Sequence, residues 1–135
     1  MLALVTGASS GIGLEYAKQL ARDYHIDLLL VSNQEQEQQQ VANELSAQYG
    51  VKTIALYADL SKQNAAEELY QYCVDNQLVV DVLVNNAGMF FFNSYCETSM
   101  KRIELMLNLH MITVAKLTRL FGEQMLQREL NAEEQ

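Results

Sequence analysis

The sequence predicts an α/β domain built on a doubly wound parallel sheet, on three observations. Four short β-rich apolar runs alternate with longer segments of helical periodicity. A glycine-rich turn follows the first run, and half of the 135 residues are apolar, enough to bury a sizeable core.

The runs are "ALVT" at 3–6, "IDLLLVS" at 26–32, "TIALYAD" at 53–59 and "VVDVLVNN" at 79–86. Strands alternating with helices read as βαβ units and a parallel sheet. The first helix is expected over about 11–24, with Ala17, Leu20 and Tyr24 on one face. The second covers about 34–49, turns Val41 and Leu45 inward and carries the Gln/Glu-rich "NQEQEQQQ" as its solvated face. The third, about 62–76, buries Leu69 and Cys73 behind a Ser61 N-cap. The last is one long helix over about 97–129, presenting Ile103, Leu107, Val114, Leu117, Phe121 and Met125. It is apolar on more than one face, which implies burial on more than one side. With no internal repeat and no linker, residues 1–135 read as one domain. Right-handed crossovers then put the strands in spatial order 3-2-1-4, the first half of a doubly wound nucleotide-binding sheet.

Charge and cysteine content narrow the function classes. Seventeen acidic side chains against nine basic ones give a net charge of -8, which opposes phosphate binding by a nucleic-acid partner. The first strand begins at Ala3 with no basic, apolar leader, and no apolar run is long enough to span a bilayer, so a cytoplasmic protein with no membrane partner is expected. Cys73 and Cys96 have neither a second pair nor a His at ligand spacing, so they read as free thiols and no metal site is expected.

The turn "TGASSGIG" places Gly7, Gly11 and Gly13 between a strand and the opening of a helix. Gly7 permits the sharp turn, Gly11 lets the backbone approach a pyrophosphate, and Gly13 lets the helix lie close against the strand. The helix-start N–H groups, with the Ser9 and Ser10 hydroxyls beside them, then face the anion.

Followed by Asp59 and Leu60 after the third strand and by "NNAG" at 85–88 after the fourth, this spacing resembles the short-chain dehydrogenase/reductase family, from Ala3 to about residue 130. The resemblance implies a Rossmann-like fold that binds NADP or NAD, here truncated after the fourth strand and the long helix. It sets Gly7, Gly11, Ile12 and Gly13 around the pyrophosphate and Asp59, beside Leu60, on the adenine amino group. Asn86, Ala87 and Gly88 come to the ribose and nicotinamide side. At the end of the second strand stand Ser32, Asn33 and Gln34, neither an acid for a ribose 2′-hydroxyl nor an Arg for a 2′-phosphate. The missing acid favours NADP, and the missing Arg leaves NAD open.

Family chemistry is hydride transfer between nicotinamide C4 and a carbonyl or alcohol carbon, using a Tyr, a Lys four residues on, a Ser, and an Asn on the long helix. None of Tyr16, Tyr24, Tyr49, Tyr57, Tyr70, Tyr72 and Tyr95 is followed by Lys at i+4, the spacing that shares a helix face. The Ser and the Tyr/Lys pair belong to a fifth strand and next helix that this sequence does not contain, so it is expected to be inactive as it stands. The family's usual distance from Gly88 to the helix Asn, 22 residues, arrives at His110. Asn108 is two residues off and so rotated by about 200°. His110 is the catalytic candidate, with a partly buried structural His as its other reading.

Phe90, Phe91 and Phe92 either wall an apolar carbonyl or alcohol substrate or pack against the last helix. Without a fifth strand the fourth is an apolar edge open to pairing. The resemblance implies that the last helix contributes to dimerisation, so a homo-oligomer is expected. A non-catalytic NAD(P)-binding module and a self-associating module stand beside the oxidoreductase reading.

Overall fold

The computed structural model describes residues 1–89 and 94–134. Strands β1 (Leu2–Thr6), β2 (Asp27–Ser32), β3 (Thr53–Tyr57) and β4 (Val82–Val84) form one parallel sheet in the order β3-β2-β1-β4, as expected. Helices α1 (Gly11–Tyr24), α2 (Glu35–Tyr49) and α3 (Ala65–Asp75) supply the crossovers. Beyond β4 come a 3-10 turn (Tyr95–Glu97), α4 (Met100–Leu107), a π turn (Asn108–Ile112) and α5 (Thr113–Glu133).

The central strands are apolar at nearly every position because both sheet faces are covered, and period-two alternation divides their side chains between two layers. Ala3, Val5, Leu28 and Leu30 pack under Ala17 and Ala21 of α1 and Val41, Ala42 and Leu45 of α2. Leu4, Leu29 and Val31 face Ala66, Leu69 and Cys73 of α3 and Leu117 and Phe121 of α5. Phe121 meets the Tyr70 ring edge-on at a centroid distance of 5.4 Å. Each fully buried Leu contributes about 1.5–3 kcal/mol by leaving water, so these layers dominate folding.

Several elements differ from expectation for local physical reasons. Tyr24 is 70% exposed, and α1 buries Gly13, Ala17 and Ala21 instead, an i, i+4, i+8 stripe of small residues that brings the helix close to the sheet. Within the polar run of α2, Gln38 is buried: its Nε2 donates to the Leu56 carbonyl on edge strand β3 at 2.8 Å. Thr53 Oγ1 donates back to the Ala42 carbonyl at 2.9 Å, so α2 is stitched to a strand whose outer side has no partner strand among the described residues. Ser61 does not cap α3; its N–H and hydroxyl both donate to Asp59 Oδ1, and the helix begins at Ala65 after Asn64.

Strand β4 is shorter than the apolar run that predicts it. The run's start is taken up by loop contacts: Leu2 N–H donates to Asp81 Oδ2 at 2.9 Å, and Arg128 Nη2 donates to the Val80 carbonyl at 2.7 Å. The long helix expected near the end of the sequence is present, continuous over 100–133, and carries the π turn within it, where the wider winding takes in an extra residue. Helix α5 buries Thr113, Leu117 and Phe121, but Leu107, Met111, Ile112, Leu126 and Leu130 are exposed, so burial on several sides is not seen among the described residues. No described helix is long and apolar enough to cross a membrane.

The two thiols occupy opposite environments. Burial pushes the Cys73 thiol up to about 11, while Cys96 is exposed. At pH 8 only roughly one Cys73 in a thousand is then thiolate, and the attacking reagent has no path to it. A disulfide-exchange reagent at pH 8 is expected to titrate one thiol rapidly in the folded chain and the second only on unfolding. Equal rates for both in the native chain would contradict this packing.

Candidate functional site

The carboxyl ends of the strands surround a cleft of about 730 Å³. It lies where strand order reverses: β1 leads to α1 and β4 leads through α4 to α5, and α1 and α5 pack on opposite faces of the sheet. Such a switch point leaves a crevice because neighbouring connections depart in opposite directions.

The glycine turn forms one wall. Gly7, Ser9, Ser10 and Ile12 line the cleft. Gly13 lies beneath it, and a Cβ at this position would overlap the Gly7 carbonyl and the Asn86 amide. Gly11 has φ +59 and no atom within 4 Å of an added Cβ, so the helix opens onto space. Ser10, the N-cap residue, makes no side-chain cap bond, and the first turn of α1 carries no acid. Its orphan N–H groups and the helix dipole are therefore available to an anion. The Ser9 hydroxyl donates to Gln34 Oε1 at 2.7 Å, joining the glycine turn to the end of β2.

The opposite wall is hung from one buried hydroxyl. Thr6, 2% exposed, accepts from the N–H groups of Asn86 at 2.9 Å and Ala87 at 3.0 Å through Oγ1. Asn86 Nδ2 donates to the Gly7 carbonyl at 3.3 Å, locking the loop after β4 to the glycine turn. Ala87 and Gly88 continue along the cleft. Asp59 and Leu60 line the end beyond β3, where Asp59 Oδ1 holds Ser61. Thr113 Oγ1 donates to the Leu60 carbonyl at 2.7 Å in a buried bond, fixing α5 against this loop. Asn33 lines the cleft at the end of β2 together with Ser32 and Gln34.

His110 reaches the cleft, whereas Asn108 is not among its lining residues. The ring is exposed rather than buried, and Nε2 lies 3.0 Å from Met89 N and 3.1 Å from Met89 O. One nitrogen cannot serve both: with the proton on Nδ1 it accepts from the Met89 N–H, and with a proton on Nε2 it donates to the Met89 carbonyl. The ring also fills the space beside Gly88, where an added Cβ would stand 2.9 Å from Cε1. Of the expected residues, only Gly11 and Gly13 are outside the lining, and Phe90, Phe91 and Phe92 lie outside the described residues. Thr6 and Met89 take part through contacts that no local pattern announces; the Thr-Gly pair that opens the turn is the one visible signal for Thr6.

This arrangement makes a steric prediction. In Gly88→Ala the His110 ring must swing away and lose Met89, at a cost of about 0.5–1.5 kcal/mol in a urea titration. In a His110→Ala background the same Gly88→Ala change should cost close to nothing. An equal penalty in both backgrounds would show that the ring and residue 88 do not compete for space.

Comparison with known proteins agrees with this geometry. The family model described as short chain dehydrogenase matches residues 1–131. A very-long-chain 3-oxoacyl-CoA reductase from Anas platyrhynchos is 36% identical over 132 residues, which are 93% of this chain and 41% of the relative. The short-chain dehydrogenase from Sphingobium yanoikuyae, solved in complex with NADPH, superimposes with a TM-score of 0.86 at 29% identity, over 94% of this chain and 49% of that one. The L-sorbose reductase from Gluconobacter frateurii, solved with NADPH and L-sorbose, gives 0.84 at 26% identity, over 94% and 48%. The chain thus spans about half the length of the proteins it matches. It belongs to the short chain dehydrogenase family.

Proposed function

We propose that this chain is the cofactor-binding portion of an NAD(P)-dependent oxidoreductase acting on a carbonyl or alcohol substrate. The observation that carries the reading is the convergence of an uncapped α1 N-terminus, Asp59 and the loop after β4 on one cleft at the strand-order reversal. The residues fit a dinucleotide. Gly11 leaves room for a pyrophosphate at the helix dipole, with Gly7, Ile12 and Gly13 shaping the turn, and Asp59 Oδ2 is left to accept from an adenine amino group. Asn86, Ala87 and Gly88 would run along the ribose and nicotinamide, with Leu60 beside the adenine. The cofactor supplies hydride at nicotinamide C4; the chain's own residues bind and orient it. His110 stands where a proton-relay side chain would sit, held against Met89.

Turnover needs a proton donor at the substrate oxygen, and no Tyr here has a Lys four residues on. The chain alone should bind but not reduce. A self-associating role is the second reading, favoured by the edge position of β4 and by exposed Leu107, Met111, Ile112, Leu126 and Leu130.

Titration of the 135-residue chain with NADPH and NADH, followed by nicotinamide fluorescence with mass measured in the same sample, tests both readings. The expected result is saturable binding in roughly the micromolar range, tighter for NADPH, with no ketone reduction. An assembled chain that binds neither compound would favour self-association alone.

A further inference from the structure

We propose that the protonation state of His110 sets whether the cleft wall at Met89 is neutral or cationic, and that the protonated ring makes the cleft favour a reduced nicotinamide over an oxidised one. The preference rests on the dinucleotide reading above; the change in the wall does not.

The inference starts from one nitrogen with two partners. The Met89 N–H points at His110 Nε2 over 3.0 Å, and the Met89 carbonyl oxygen lies 3.1 Å from the same atom. A backbone N–H cannot give up its hydrogen, so the neutral ring that faces it keeps its own proton on Nδ1 and accepts through Nε2. The ring is exposed, and solvent can deliver a second proton between about pH 5 and 8, where imidazole titrates. Nε2 then faces the Met89 N–H as donor against donor and turns to the carbonyl beside it. The Met89 N–H loses its acceptor, and the wall gains a positive charge. An Asn amide would not behave so: its oxygen and nitrogen could hold both Met89 groups at once, at any pH.

The surroundings add little charge of their own. On the helix, Met106, Leu107, Thr113 and Val114 share the side of His110 and are uncharged, as is the loop from Asn85 to Met89. Lys101, Arg102 and Glu104 of α4 are exposed, and Lys116 Nζ of α5 is turned to Glu67 on α3 at 3.1 Å. Asp59 is the one other titratable side chain lining the cleft, and it lies beyond β3 with Oδ1 on Ser61. An oxidised nicotinamide ring is cationic and a reduced one neutral, while the phosphates are the same in both. Attraction to the phosphates therefore cancels in the ratio of the two affinities, and repulsion of the oxidised ring remains.

Two measurements on the intact chain test this. In the ligand-free protein, imidazole and amide nitrogen NMR between about pH 5 and 9 should place the neutral ring's proton on Nδ1 and show a Met89 amide shift that follows the ring's titration. A neutral ring protonated on Nε2, or a Met89 amide that ignores the titration, would overturn the proposal. Calorimetric titration with NADPH and NADP+ at about pH 6 and about pH 8.5 should move the affinity ratio roughly three-fold toward NADPH at the lower pH, the scale of a solvent-screened pair of unit charges. In His110→Asn the ratio should be flat. A ratio that shifts equally in His110→Asn, or not at all in the unaltered chain, would overturn the role of His110 in discrimination. An unaltered chain that binds neither compound would overturn the dinucleotide reading and the discrimination with it, while the Met89 shift would still decide the change in the wall.

Discussion

The close approach of α1 to the loop after β4 is the constraint on which the rest of the structure depends. Nothing larger than hydrogen fits at Gly13, because the Gly7 carbonyl and the Asn86 amide already occupy that space. The same contact is reinforced by Asn86 Nδ2 on the Gly7 carbonyl and by Thr6 Oγ1 holding two successive N–H groups of the opposite loop. Two connections that leave the sheet in opposite directions are thus tied together at their bases. The base of the cleft above them is thus held by the backbone of two tied loops, which fixes its shape.

Much of this was legible in the sequence because it depends on short-range patterns. Apolar runs of four to eight residues separated by helical periodicity predict the strands and their order, and the spacing of Gly7, Gly11 and Gly13 predicts the turn. Asp59 and the "NNAG" segment fall at strand ends, so the topology alone carries them to the cleft. His110 rather than Asn108 reaches the same place, in keeping with its count from Gly88.

What was not legible depends on partners distant in sequence. Gln38 looks like one more solvated residue in a polar run until the Leu56 carbonyl on an edge strand is placed beside it. The hydrogen bonds that tie Ser9 to Ser32 and Gln34 join segments more than twenty residues apart. The π turn carries one tertiary anchor, His110 on Met89, and is followed directly by another, Thr113 on Leu60, while "NLHMIT" has the composition of an ordinary helix. Burial of Tyr24 was expected from spacing, yet a stripe of small residues brings α1 closer than a Tyr permits. The exposed apolar side chains of α4 and α5 show the converse limit: amphipathic pattern predicts which face is apolar, not whether another element covers it.

The central claim is that the cleft between the glycine turn and the loop after β4 holds a dinucleotide. Mapping backbone amide shifts in the isotope-labelled chain as NADPH is added tests it most directly. With the dinucleotide in this cleft, the shifts concentrate on residues 7–13, 32–34, 59–61 and 85–89 and on His110. Shifts centred instead on the second, smaller cleft at the other end of the sheet, around Met1, Asp27, Lys52 and Val79, would contradict it.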